Sequence, residues 1–127
     1  MELGAFSISL SVKDLQASLT FYKKIGFSQV GGVSEQGWLI LRNGTCTLGL
    51  FQGMFEKNML TFNPGWISET EHLEQFQDVR DIQESLRSDG VDILQEAEPG
   101  DAPASIMIED PDGNPILIDQ HMPRPVG

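Results

Sequence analysis

The sequence predicts an α+β fold made of two copies of one β-α-β-β-β pattern, and three observations carry that prediction. Residues 6–12 alternate strictly: Phe6, Ile8, Leu10 and Val12 form an apolar face, Ser7, Ser9 and Ser11 a small polar one. That is the period of a half-buried strand. Next, Asp14 is a helix N-cap, Leu15, Leu19 and Tyr22 make one apolar stripe at helical spacing, and Gly26 is a stop glycine. Finally, cap, stripe and stop recur together. Asp14 and Asp78 stand 64 residues apart, as do Gly26 and Gly90, Leu15 and Val79, Tyr22 and Leu86, and Phe27 and Val91. Internal repetition is the strongest organising signal in the chain.

Each element follows from local chemistry. After the first helix, strands are expected over residues 27–33, 37–42 and 45–52, the last two joined by Asn43-Gly44, a strong hairpin signal. Residues 59–63 read as a strand stopped by Pro64-Gly65, with residues 68–72 as a polar surface loop; the alternative starts that strand near His72. Asp78 then opens a helix whose stripe is Val79, Ile82 and Leu86, closed by Gly90. Residues 91–96 are expected as a strand, 99–103 as a loop, and 105–110 with 115–120 as a closing hairpin. The hairpin turns over Asp110-Pro111-Asp112-Gly113-Asn114, where proline presets one dihedral, glycine accepts positive φ, and Asp and Asn bond their own backbone. Asp110 and Asp112 are therefore turn residues rather than a catalytic carboxylate pair. The chain reads as a single domain, 1–127. Module one covers about 5–52, a connector about 53–58, module two about 59–121, and a loose C-terminal tail 122–127.

Composition narrows the function. A chain of 127 residues with 39% apolar and 21% charged residues is one globular domain. Nothing approaches the run of about 20 apolar residues that spans a bilayer, and the start lacks a signal-peptide pattern, so cytoplasmic residence is expected. A net charge of −11 repels phosphate backbones and anionic lipid, which argues against nucleic-acid and membrane partners. The single cysteine, Cys46, shares parity with Leu48 and Leu50 and is expected to be buried and inert. No Gly-x-Ser-x-Gly elbow, Walker loop or dinucleotide fingerprint is present; Gly31-Gly32 is a turn signal.

The run Ser7-Ile8-Ser9-Leu10-Ser11-Val12-Lys13-Asp14-Leu15, the later Phe21-Tyr22-Lys23-Lys24-Ile25-Gly26-Phe27, and the closing Asp110-Pro111-Asp112-Gly113-Asn114-Pro115 resemble the vicinal oxygen chelate superfamily. It includes glyoxalase I, bleomycin- and fosfomycin-resistance proteins and extradiol dioxygenases. The resemblance runs from about Phe6 to Gln120. It implies two βαβββ modules forming an open, cup-shaped mixed sheet, commonly in a homodimer, with apolar connector residues such as Met54, Phe55 and Met59 at the interface or over the cup. It also implies a divalent metal held by His, Glu or Gln on the first and last strands of each module. Carried onto this chain, those positions fall on Ser7, near Gly49, on Leu117, and on Glu71 or near Thr61, according to where the second module starts. One carboxylate does not make a site that needs three or four N, O or S donors. No cofactor is therefore expected. A relocated set of Glu71, His72, Asp119 and His121 is the metal-binding alternative, and would suit a lyase, isomerase or dioxygenase; whether the chain is an enzyme stays open.

The expected function is small-molecule binding without metal, as in the drug-sequestering branch of that superfamily. Candidate cup-facing residues are Ser7, Ser9, Trp38, Phe51, Phe55, Phe62, Trp66, Leu117 and Asp119. They combine hydroxyls, apolar walls and one anion, which suits a small aromatic or cationic ligand.

Overall fold

The protein is described by a computed structural model covering residues 1–126. Seven strands and two α-helices occur among the described residues: β1 Ala5–Val12, α1 Leu15–Lys24, β2 Ser28–Val33, β3 Trp38–Asn43, β4 Cys46–Gln52, β5 Met59–Asn63, α2 Val79–Ser88, β6 Ala104–Glu109 and β7 Pro115–Gln120. This is the expected α+β class. No helix among them is long and apolar enough to cross a membrane.

The chain forms two compact units. The first, residues 7–59, has its strands in the order β2-β3-β4-β1, antiparallel except for the parallel β1–β4 pair. α1 lies on the face made by Leu10, Val12, Leu39, Leu41, Leu48 and Leu50, with Leu15 and Leu19 as its buried stripe. The second, residues 1–6 and 60–126, has the order β5-β7-β6, with β5 parallel and β6 antiparallel to β7. There α2 puts Val79 and Ile82 onto Ile106, Ile108 and Ile118.

The repeat is visible in atomic detail. Both helices have ten residues and an aspartate N-cap: Asp14 accepts from the Ala17 N–H, Asp78 from the Arg80 N–H. Both end in a Schellman motif, the N–H of Gly26 on Lys23 and of Phe27 on Tyr22, the N–H of Gly90 on Arg87 and of Val91 on Leu86. Gly26 and Gly90 have φ of 105° and 84°, the left-handed region that this motif requires. A further shared device lies beyond what the sequence pattern reveals. A glutamine closing each unit's last repeat strand accepts from the first helical N–H: Gln52 from Leu15 at 2.7 Å, Gln120 from Val79 at 2.7 Å.

Gln120 belongs to a buried polar network. Its amide donates to Asp78 Oδ1 at 2.8 Å, Arg80 Nη1 sits 3.2 Å from the same carboxylate, and Arg124 Nη2 reaches it at 3.3 Å. Arg80 also donates to the carbonyls of Glu98 and Ala102. Arg124 further bridges Asp81 at 3.3 Å and Asp101 at 3.0 Å. Residues 122–126 of the expected tail are therefore tied down through Arg124, not loose as their two prolines suggest; Gly127 lies outside the described residues. The tie comes from aspartates far away in sequence.

Two other expectations need correction. Residues 91–96 do not form a strand; Gln95 alone bridges to Met107, while Val91 and Ile93 turn into the core. Cys46 is exposed: it opens β4 opposite Asn43, beyond the reach of α1, so its parity with Leu48 does not bury it.

Candidate functional site

Each unit has one helix-bearing sheet face and one opposite face, and most of the candidate residues lie on the opposite faces. In the first unit, strand alternation puts Ser7, Ser9 and Ser11 there. Ser9 stands beside Gly49, which stands beside Ile40; Ser11 stands beside Phe51, which stands beside Trp38. The Phe51 and Trp38 rings are nearly parallel, 8° apart with centroids 6.4 Å apart, and Phe55 tilts onto Phe51 at 5.3 Å. Phe55 is held because the Ser11 hydroxyl donates to its carbonyl at 2.7 Å, while Asn58 accepts from the Ser11 N–H at 2.9 Å. This face thus gathers Ser7, Ser9, Trp38, Phe51 and Phe55. Met59, expected with Phe55 and Met54 at an interface or lid, is instead buried.

Gly49 has a specific neighbour. A Cβ placed on it would lie 2.5 Å from Cε2 and 3.2 Å from Cζ of Phe51. The Phe51 ring therefore lies back over the bare backbone at Gly49 and fills the space a side chain would need.

In the second unit the corresponding face has Thr61 beside Leu117, Leu117 beside Met107, and Asp119 beside Ser105. Phe62 takes the other parity, in register with Ile118 and ring to ring with Phe6 at 5.1 Å. The strand does start at Met59, so Thr61 and not Glu71 takes the register position beside Leu117.

Between β5 and α2 the chain makes an ordered excursion where the first unit has only Lys13 and Asp14. Pro64-Gly65 is a type II turn, with the Trp66 N–H donating to the Asn63 carbonyl and Gly65 at φ 85°. The excursion then folds on itself. The Leu73 N–H donates to the Gly65 carbonyl at 2.7 Å, Trp66 bridges to His72, and the Ser68 hydroxyl accepts from the N–H groups of Thr70 and Glu71. The Trp66 indole stacks on His72 (5.5 Å, 3°) and on His121 (4.6 Å, 18°). His121 Nε2 is 3.4 Å from Asp119 Oδ2. Trp66, His72, His121 and Asp119 thus form one cluster, while ladder alternation puts Glu71 and Ile67 on the excursion's other side.

The Trp66 Nε1–H is buried with no acceptor. Trp66→Phe keeps a stacking ring and removes that donor, so chemical denaturation should show a change within about 1 kcal/mol, neutral or stabilising.

The aspartates at the closing turn are structural. Asp110 accepts from the Asn114 side chain at 2.7 Å and from the N–H groups of Asn114 and Asp112. The Asn114 amide, then its backbone N–H, lower the Asp110 pKa below the usual carboxylate value.

A divalent metal needs donors that these positions lack. Ser7 and Thr61 offer neutral hydroxyls, Gly49 has no side chain and an aromatic ring over it, and Leu117 is alkyl. Among the described residues, no group of three or more His, Cys, Asp or Glu side chains converges. The residues present do not fit the metal of the resembled superfamily.

Comparison with solved structures returns the same fold. A glyoxalase/bleomycin resistance protein/dioxygenase superfamily member from Vibrio splendidus 12B01 matches with TM-score 0.64 at 14% identity, over 91% of this chain and 97% of that one. The NAD-dependent benzaldehyde dehydrogenase from Legionella pneumophila matches with TM-score 0.68 at 17% identity, over 91% and 98%. The Mn(II)-bound glyoxalase from Novosphingobium aromaticivorans matches with TM-score 0.58 at 13% identity, over 95% of this chain and 40% of that one. No curated protein matches. The family model described as Glyoxalase/Bleomycin resistance protein/Dioxygenase superfamily matches residues 4–118, and the chain belongs to that superfamily.

Proposed function

We propose that this protein binds a small, partly aromatic or cationic molecule without a metal ion. The observation that carries the reading is Phe51 lying over Gly49, where relatives in the superfamily would place a ligating side chain. An aromatic ring there takes a donor's place with an apolar surface. Trp38, Phe51 and Phe55 give a planar ligand faces for offset or tilted stacking. Serine hydroxyls on the same face supply a few short-range polar contacts, the usual balance of a small-molecule site. The net charge of −11 favours the approach of a cationic ligand over an anionic one.

The test uses protein purified without a His tag. Elemental analysis is expected to find no stoichiometric metal. A thermal-shift library of aromatic and cationic compounds is expected to give hits, because a ligand at about 100 times its Kd adds about 2.7 kcal/mol. Phe51→Ala should weaken those hits. Stoichiometric metal surviving purification would overturn the proposal. It would favour a lyase, isomerase or dioxygenase built around His72, Asp119 and His121. A library without hits would also count against it.

A further inference from the structure

The strands β1 to β4 contain one charged residue. They include no aspartate, glutamate or lysine, and a single arginine, Arg42. Strand alternation puts Arg42 on the same face as Trp38 and Ile40, because Leu39 and Leu41 between them are fully buried in the core under α1. Its cross-strand neighbours are Ser28 and Thr47, both hydroxyl-bearing, and Arg42 itself is half-buried.

The opposite face of the first unit therefore has two unlike ends. Trp38, Phe51 and Phe55 stand at one. Arg42 stands at the other, about 13 Å along β3 at the rise of a strand. Between them lies the row Gly31, Ile40 and Gly49, low because two of its three residues lack side chains. The Phe51 ring leans back over Gly49, into the row next to that of Thr47 and Arg42. The aromatic surface and the arginine are thus only two residues of strand rise apart, about 7 Å. The acids of residues 7–59 lie elsewhere. Glu35, in the link from β2 to β3, and Glu56, after β4, are at the aromatic end, and Asp14 caps α1. Residues 7–59 hold five cations against these three anions, whereas the second unit has three arginines against sixteen carboxylates. The net charge of −11 therefore describes the second unit and not this face. Charges beyond a Debye length, about 8 Å at physiological salt, slow an anion's approach but do not choose the group that holds it.

We propose that the ligand of this face is a small aromatic carboxylate, its ring on Phe51 and Trp38 and its carboxylate on the Arg42 guanidinium. The inference rests on the reading of this face as a binding site, and narrows that reading from aromatic molecules in general to anionic ones. A chain of about three carbons bridges the spacing between ring and arginine. The guanidinium fork matches two carboxylate oxygens, and its five N–H donors serve more than one acceptor, so Arg42 keeps its contacts within the protein while it takes the ligand. The hydroxyls of Ser28 and Thr47 flank the same position and can donate to those oxygens. A ligand amine would meet like charge there.

Titration calorimetry on the full chain tests this with three matched probes: phenylbutyrate, its neutral amide phenylbutyramide, and the amine phenylbutylamine. The carboxylate is expected to bind at least about tenfold more tightly than either of the others, the order of a charge-assisted pair. That preference should shrink at about 500 mM salt, where screening is much shorter. Arg42→Gln should bring the carboxylate down to the amide's affinity and leave the amide unchanged. Arg42→Lys, which keeps the charge without the fork, should fall between. Phe51→Ala should weaken all three. An amine that binds as tightly as the carboxylate, or a folded Arg42→Gln protein that keeps the carboxylate preference, would overturn the carboxylate assignment and leave the binding role standing. Failure of all three probes to bind the folded wild-type chain would remove the binding role, and this assignment with it. The comparison among probes on the wild-type chain decides by itself if Arg42→Gln does not fold.

Discussion

Asp78→Ala is expected to lower the unfolding free energy by about 3–5 kcal/mol. The carboxylate is 1% exposed and has three jobs. It caps α2 through the Arg80 N–H at 3.0 Å, accepts from Gln120 at 2.8 Å, and balances the guanidinium groups of Arg80 and Arg124. The cap alone contributes about 1 kcal/mol. The larger loss comes from leaving Arg80 buried without its anion, since breaking one side of a buried pair costs about 3–5 kcal/mol. The same group sets an acid limit. Burial pushes the Asp78 pKa up, but hydrogen bonds from Gln120 and Arg80 and the charge of Arg124 outweigh it, so the folded value lies below the ordinary 3.8. A depressed folded pKa stabilises fully above the unfolded value and is lost as pH falls through the folded one. Urea midpoints should therefore be flat near neutrality and fall below about pH 4. Asp78→Asn should shallow that acid limb while keeping more of the neutral-pH stability than alanine does. An unchanged acid limb in Asp78→Asn would show that this carboxylate does not set it.

Ile118→Ala is expected to cost about 2–5 kcal/mol, the range for truncating a buried aliphatic side chain. Ile118 is 1% exposed and packs among Val79, Ile82, Ile106 and Ile108, where α2 meets β6 and β7. Leu117, one residue earlier, points to the other sheet face and is only half-buried. Leu117→Ala should cost about 1 kcal/mol or less, because a partly solvated site can collapse or admit water. Equal losses at the two positions, measured by equilibrium denaturation, would contradict the alternation along β7.

The fold was legible wherever the signal was local. Alternation at Ser7, Ser9 and Ser11, the Asp14 and Asp78 caps, Gly26 and Gly90, Asn43-Gly44 and the Asp110 turn each act within a few residues, and each element formed near its expected place. Three features escaped because their causes are non-local. Residues 91–96 have strand-like composition and keep an in–out alternation from Val91 to Leu94, but their backbone pairing is limited to hydrogen bonds between Leu94 or Gln95 and Met107. The tail is ordered by Arg124 meeting Asp78, Asp81 and Asp101. The excursion is ordered by indole–imidazole stacking between residues up to 55 positions apart, Trp66 and His121. The candidate site was half legible. Parity alone grouped Ser9, Trp38 and Phe51, and the connector Phe55 joined them through Ser11. Phe62 stands with Leu60 on the wholly apolar parity of β5, in register with Ile118, and so lies on the helix-bearing face rather than with Thr61 and Leu117. The settling of Phe51 on Gly49 has no signature in sequence, since it depends on one rotamer.

That rotamer has a consequence for substitution. A side chain added at residue 49 would not enter open space: its Cβ would meet the Phe51 ring, which would have to swing aside before new atoms could reach that sheet face. The two positions are therefore energetically linked, and changes made at both together should depart from the sum of the changes made singly.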